Sequence, residues 1–396
     1  MQIPKNVLYI IEELEKNNHQ AFLVGGSVRD FLMNLPISDF DIATSAQPYQ
    51  MAVIFTKTIN TGAKFGTMTI VIDKESYEVT TFRIDGEYKD NRKPDTINYT
   101  TDIIQDLSRR DFTINAIAWS PSTDDVFIDP FDGQSDINKK IVKAVGIPND
   151  RFNEDALRIL RCIRFATKLN FNIEEKTYQA VCDNIKLMKN ISIERIREEL
   201  VKTFLSDFLD NLIYINYTNV LKYINIDFYE YLKNNLQSIL SILEKSQKSL
   251  IIRWAIILYK YDNPKNLLRF FKFSNDEIKQ ITNLIDQNKR ELNNEKYIIK
   301  KHILKLDHTG FENLLEIKKS FGLNITHILE TYNQIKKNNE PIFINQLDIT
   351  GDILNFNGIE KGKSMGIIIN KLHDIVLMNP DLNKQDYLIG KAKEIL

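Results

Sequence analysis

The chain has 396 residues, 43% hydrophobic and 27% charged, an ordinary globular composition with room for two to four compact units at roughly 100–200 residues each. A net charge of −1 and a pI near 6.6 exclude a whole-protein field that would draw in nucleic acid, so any basic surface must be local. Two cysteines, Cys162 and Cys182, make no disulfide framework and suit a reducing, cytoplasmic compartment, and no stretch is apolar enough to span a membrane.

In chain order, Met1–Gln20 sets Val7, Leu8, Ile10, Ile11 and Leu14 at helical spacing, which predicts an amphipathic helix rather than a signal peptide. From about residue 20 to 150, β-prone runs alternate with Gly and Pro punctuation: Ala21–Val24, Phe40–Thr44, Thr67–Ile72, Tyr77–Arg83, Thr113–Trp119 and Val126–Asp129. Past residue 150 strand signals nearly vanish, and apolar residues recur at helical spacing from Leu157 through Ile281 and onward. The expected class is α+β: an N-terminal head with a small mixed sheet and helices, then an all-helical remainder. There is no repeat period and no low-complexity segment.

Three constellations carry chemistry. In Leu23-Val24-Gly25-Gly26-Ser27-Val28-Arg29-Asp30, an apolar strand meets two glycines and opens a helix; amides there, with Arg29 just inside, would favour an anion. A tight strand-to-helix turn is the plainer reading of that motif alone. Asp39-Phe40-Asp41 follows on an expected strand, whose two-residue period sends both carboxylates to one face. Two acids that close repel unless a cation lies between them, and Mg²⁺ is the hard cation that carboxylates and phosphates share. Glu78 is placed in or beside that site on equal terms with a structural ion pair, and stays outside the ligand set.

Next, Arg109-Arg110-Asp111-Phe112-Thr113-Ile114-Asn115 brings charge into an apolar segment, with Arg110 suited to a triphosphate because guanidinium donors fork onto phosphate oxygens. Finally, Arg151 to Phe165 reads as one helix on which Asp155, Arg158, Arg161 and Arg164 recur every third residue in a slowly spiralling polar stripe. A carboxylate that accepts from an exocyclic amino group, beside a guanidinium that donates to a ring nitrogen, matches cytosine and adenine and mismatches uracil and guanine. An intrahelical ion-pair face is the alternative for the stripe alone.

Taken in order, the Gly-Gly-Ser-Val-Arg-Asp turn, Asp39 to Thr44, Tyr77 to Arg83, Arg109 to Ala116 and Glu154 to Arg158 resemble the class II tRNA nucleotidyltransferases, the CCA-adding enzymes of the polymerase β superfamily. The resemblance implies a nucleotidyltransferase head at residues 1–150, a helical neck at 151–205, a helical body at 206–300 and a tRNA-binding tail at 301–396. It implies that Asp39 and Asp41 are catalytic and bind Mg²⁺. Gly26, Arg29, Arg110, Asp155, Arg158, Arg161 and Arg164 would bind the nucleotide, Asp155 with Arg158 reading the base.

Residues 84–99 resemble the family's flexible loop, Ser192 to Leu200 its neck helix, and Gly358 to Gly366 the segment of the tail that grips tRNA. The implied partners are tRNA, CTP and ATP, with a homodimer left open. A poly(A) polymerase, an enzyme adding only CC or only A, and a non-catalytic RNA-binding protein are the rivals. His373-Asp374 invites comparison with metal-dependent phosphohydrolases, but the other histidines supply no ligand pattern for it.

Overall fold

The structure, a computed structural model, describes residues 3–37, 39–86, 96–123 and 126–395. It divides into two compact units, residues 1–236 and 237–396.

The first unit holds the sheet. Helix α1 (Lys5–Lys16) buries Val7, Ile10, Ile11 and Leu14, the spacing that puts apolar side chains on one face. Strands β1 (Ala21–Val24), β2 (Asp41–Thr44), β3 (Thr58–Gly62), β4 (Thr67–Ile72) and β5 (Glu75–Thr81) join a later strand, β8 (Ala118–Trp119), in the order β3-β4-β5-β2-β1-β8. Only β2 and β5 run parallel; the other neighbours are antiparallel, so the sheet is mixed as expected. The β2–β5 register sets Ile42 against Val79, and both are buried. Phe22, Val24, Ala43, Phe82, Leu107 and Ala118 form a core beside the sheet.

Helices α2 (Gly26–Leu32), α3 (Pro48–Ile54), α4 (Ile103–Ser108) and α5 (Gly133–Lys139) complete the head, and α6 (Pro148–Glu154), α7 (Leu157–Leu169), α8 (Glu175–Asn184) and α9 (Ile193–Phe204) follow. A separate ribbon pairs β6 (Arg83–Asp85) with β7 (Ile97–Tyr99), so the ends of the 84–99 segment are strand. Residues 87–95, including the motif Tyr88 to Pro94, lie outside the described residues.

Two expectations are corrected. Thr113–Trp119 is not one strand: Thr113–Asn115 forms a 3₁₀ turn and only Ala118–Trp119 pairs in the sheet. The turn is pinned from outside, since Thr113 Oγ1 donates to buried Asp136 and a Cβ on Gly133 would lie 2.3 Å from the Thr113 carbonyl. Val126–Asp129 contributes a single bridge, Ala118 to Ile128.

The second unit is helical. Leu354, Met365, Ile368, Leu372, Val376 and Leu388 make its C-terminal core. The helix Lys296–Ser320 is broken at Asp307, where φ is 65° and ψ −177°, and the Asp307 carboxylate accepts the Gly310 N–H and so caps the second half. Lys300 is fully buried against Glu340, 2.8 Å away, and donates to the Leu377 carbonyl. His373 is buried with its ring on the Ile342 carbonyl, while Asp374 pairs with Lys301. Both are structural. Among the described residues, no helix is long and apolar enough to cross a membrane.

Candidate active site

The turn after β1 decides the geometry. Gly25 sits at φ 72°, a left-handed conformation that costs glycine nothing. A Cβ there would stand 3.1 Å from Arg110 Nη1 and 3.5 Å from Asp41 Oδ2, so the absent side chain is what lets a guanidinium and a carboxylate meet over the turn. The sequence motif pointed to Gly26; Gly25, its neighbour, is the one that makes the space. A doubled glycine cannot by itself say which member carries the turn.

Asp41 opens β2 at the surface of a cleft of about 240 Å³ lined by Val24, Asp41, Thr67, Glu78, Thr80, Arg83, Arg109 and Arg110. Desolvation pushes its carboxyl up, Arg110 opposes that, nearby Asp39 adds to it, and Arg29 opposes again. Asp39 is exposed and precedes the strand rather than lying on it, so the expected strand-face alternation does not place it. Glu78 shares the cleft. Among the described residues, no three Asp, Glu, His or Cys side chains converge on a metal position. Asp39 and Asp41 could together hold a divalent cation completed by water and phosphate oxygens, the Asp41 anion being destabilised chiefly by burial and further by Asp39.

Arg110 gives one N–H to Asp106 Oδ2 at 3.2 Å, while its buried Nε–H has no partner among the described residues. A buried donor left open is costly unless a ligand fills it, and phosphate oxygens would. Asp106 is buried; burial would raise its carboxyl, but Arg110, Arg109 and the Arg83 amide hold it below the usual range. Arg29, nearly fully buried, is committed within the protein: Nε and Nη2 donate to Asp30 Oδ1, and Nη1 donates to Asn115 Oδ1 at 2.6 Å.

The stripe on the neck is broken differently than expected. Asp155 has left the helix: α6 ends at Glu154, Asp155 is extended at φ −137°, and α7 starts at Leu157. Its carboxylate accepts the Leu157 N–H and pairs with Arg195 of α9 at 2.7 Å. Arg195 was not foreseen; forty residues separate it from Asp155, and only its place in the expected neck helix hinted at it.

Arg158 is buried, donating to Glu154 at 2.6 Å, to the Arg151 carbonyl, and through Nη2 to the Arg109 carbonyl at 2.7 Å. Arg161 gives Nε and Nη2 to Asp111. Burial would raise Asp111, but Arg161 and the Asn115 amide overcome it and hold the carboxyl at about 2. Arg164 donates to buried Glu199 of α9 at 2.6 Å. Arg29, Arg161 and Arg164 all approach the Phe165 ring, at 5.3, 5.3 and 4.2 Å.

Three consecutive residues thus join the two ends of the site. Arg110 faces Asp41, the Arg109 carbonyl receives Arg158, and Asp111 receives Arg161. A larger cavity, about 340 Å³ in the second unit beside Asp307, contains none of the expected site residues.

A small mixed sheet, an acid pair at a strand end, a glycine turn and an open arginine define a nucleotidyltransferase. Residues 21–143 match the family model described as "Poly A polymerase head domain", 170–224 match "Probable RNA and SrmB- binding site of polymerase A", and 229–392 match tRNA nucleotidyltransferase domain 2. The chain is 34% identical to the CCA-adding enzyme of Ligilactobacillus salivarius, over 99% of this chain and 96% of that protein. It is 36% identical to that of Pediococcus pentosaceus, over 97% and 96%. The Bacillus stearothermophilus CCA-adding enzyme in complex with CTP has a similar structure, with a TM-score of 0.86 at 26% identity, covering 100% of this chain and 98% of that one. The chain belongs to the class II CCA-adding enzymes.

Proposed function

We propose that this protein adds C, C and A in turn to the 3′ end of tRNA, without a template, from CTP and ATP, releasing pyrophosphate. Family membership along nearly the whole chain supports the reaction, and the meeting of Asp41 and Arg110 over Gly25 is the observation that carries the site. The tRNA 3′-hydroxyl attacks the α-phosphate in line. Arg110 holds phosphate oxygens with its open Nε–H. Asp39 and Asp41 would hold Mg²⁺, which when bound supplies charge neutralisation at the phosphates and a lower pKa for the attacking hydroxyl.

Base choice belongs to Asp155 and Arg158. Arg195 fixes the Asp155 carboxylate, leaving acceptor capacity for the exocyclic amino group of C or A. Arg158 reads a ring nitrogen when Nη1 exchanges Glu154 for the base, while Nη2 stays on the Arg109 carbonyl. Gly26, Arg29, Arg161 and Arg164 would add further contacts to the incoming nucleotide. Head, neck, body and tail take residues 1–150, 151–205, 206–300 and 301–396, with the tail and its Gly358 to Gly366 segment on tRNA. Reduced Cys162 and Cys182, which form no disulfide, suit the cytoplasm.

Incubating tRNA that lacks CCA with CTP, with ATP and with both, then sequencing the 3′ ends, tests the reading. CC from CTP alone and CCA from both are expected; a poly(A) tail, a single added A, or no addition would overturn it. Asp41→Ala should abolish incorporation with the fold intact.

A further inference from the structure

The cavity of about 340 Å³ beside Asp307 lies wholly within the second unit and takes no part in the reaction proposed above. Residues of helix Asn275–Asn288 and of both halves of Lys296–Ser320 line it, and Phe343 adds an aromatic ring. The break between the two halves is made by Asp307, whose φ of 65° and ψ of −177° are natural to glycine and strained for aspartate. Such strain persists where a site depends on the shape it gives, and here the strained residue is itself part of the lining.

The lining selects a ligand class by elimination. Leu284 and Leu306 are buried and Phe343 is half-buried, an apolar surface that a flat ring would cover. Asn283 and Asn313 are half-buried, and among the described residues their side-chain amides make no hydrogen bond. Each therefore keeps donors and an acceptor for a ligand. Four charged side chains are exposed around them. Lys279 and Lys305 pair with nothing among the described residues, while Asp276 accepts from Gln280 and Asp307 accepts the Gly310 N–H. Among the described residues no third acid, His or Cys joins those aspartates, so the lining offers no metal cage. An RNA backbone needs net positive charge, and two lysines beside two acids supply none. A bare anion would meet both carboxylates. What fits is a compact molecule with a ring, an edge of donors and acceptors, and one anionic end.

We infer that this cavity is a second nucleotide site, for a nucleoside monophosphate whose base carries an exocyclic amino group. The base covers the leucines and Phe343, its amino group donates to carboxylate oxygen left open by Asp276 or Asp307, and an asparagine amide donates to a ring nitrogen. Lys279 and Lys305 take the phosphate. The volume falls in the range of small-ligand pockets, roughly 300–1,000 Å³, and suits a nucleotide better than an amino acid, which would leave much of it empty. The cleft at Asp41 and Arg110 shares no lining residue with it, so the two sites are separate.

The test uses the full chain and photoreactive 2-azido-AMP, with the labelled peptides identified by mass spectrometry. Label is expected within residues 276–313 or at Phe343. Lys279→Ala and Asn283→Leu should each lower labelling there about tenfold. Both should leave CTP addition to tRNA lacking CCA at the wild-type rate, which also shows that they fold. Because Lys279 is exposed, its variant reads the ligand rather than the packing. Unlabelled AMP should compete at about tenfold lower concentration than IMP, whose ring carbonyl would turn an acceptor toward the carboxylate. No label in the second unit, or label that IMP displaces as well as AMP does, would overturn the assignment. So would a Lys279→Ala variant that binds tRNA less tightly at unchanged labelling, which would place this face on RNA instead.

Discussion

Gly25 is the residue on which the site's geometry turns most sharply. Gly25→Ala combines left-handed strain with a Cβ 3.1 Å from the Arg110 guanidinium. It should cost about 1–2 kcal/mol of stability, read by urea denaturation, and lower kcat through the displaced arginine. Gly26→Ala, with its nearest neighbour the Arg29 tip at 3.5 Å, should be milder on both counts.

Asp111 gives a pH signature. Its folded pKa of about 2 lies below the unfolded value near 3.9, so its contribution is present above pH ~4 and lost as pH falls toward 2. About 2 kcal/mol should disappear across that window. Asp111→Asn should flatten the fall, measured as the pH dependence of the denaturant midpoint relative to wild type; an equally steep fall in the variant would exclude Asp111 as its source.

Elements show where sequence reading succeeds and where it stops. Strands β1 and β4 have the expected bounds because each is a short β-prone run that begins and ends at turn residues. Strand β3 escaped notice because Thr58–Gly62 buries none of its residues and so shows no apolar alternation. The break between α6 and α7 carries no glycine or proline, and a three-residue spacing of charges ran across it unmarked; extended Asp155 is tied both locally, by accepting the Leu157 N–H, and by its tertiary pair with Arg195. That pairing belongs to α9 as much as to the linker. Arg195→Ala should leave the helices formed but loosen Asp155, raising UTP or GTP misincorporation relative to CTP, measured by competition in one reaction. Unchanged selectivity would show that Asp155 needs no support.

At the level of the molecule, both units own a core, and the second depends on a buried charge. Lys300→Ala would leave Glu340 paired with Lys296 alone, 2.6 Å away, and should cost about 1–3 kcal/mol. Hydrogen exchange should quicken more across residues 237–396 than across 1–236, locating the loss. None of this pairing was legible beforehand, since Lys300 and Glu340 are distant in sequence and each reads as an ordinary surface charge. Asp39, Asp41, Arg110, Asp155 and Arg158 stand out in the sequence because they fall in short ordered motifs, whereas the residues that pair with the arginines and with Asp155, namely Asp106, Asp111, Arg195 and Glu199, are set by folding alone.

The run Arg109-Arg110-Asp111 gives fidelity a mechanical form. One backbone carbonyl takes Arg158, the next side chain meets the acid that opens β2, and the third anchors the neck. On the proposed function, a nucleobase that drags Arg158 out of line would pull on the same three residues that would set the phosphate. A wrong letter therefore slows its own incorporation as well as fitting badly, so discrimination should appear in kcat and not only in KM.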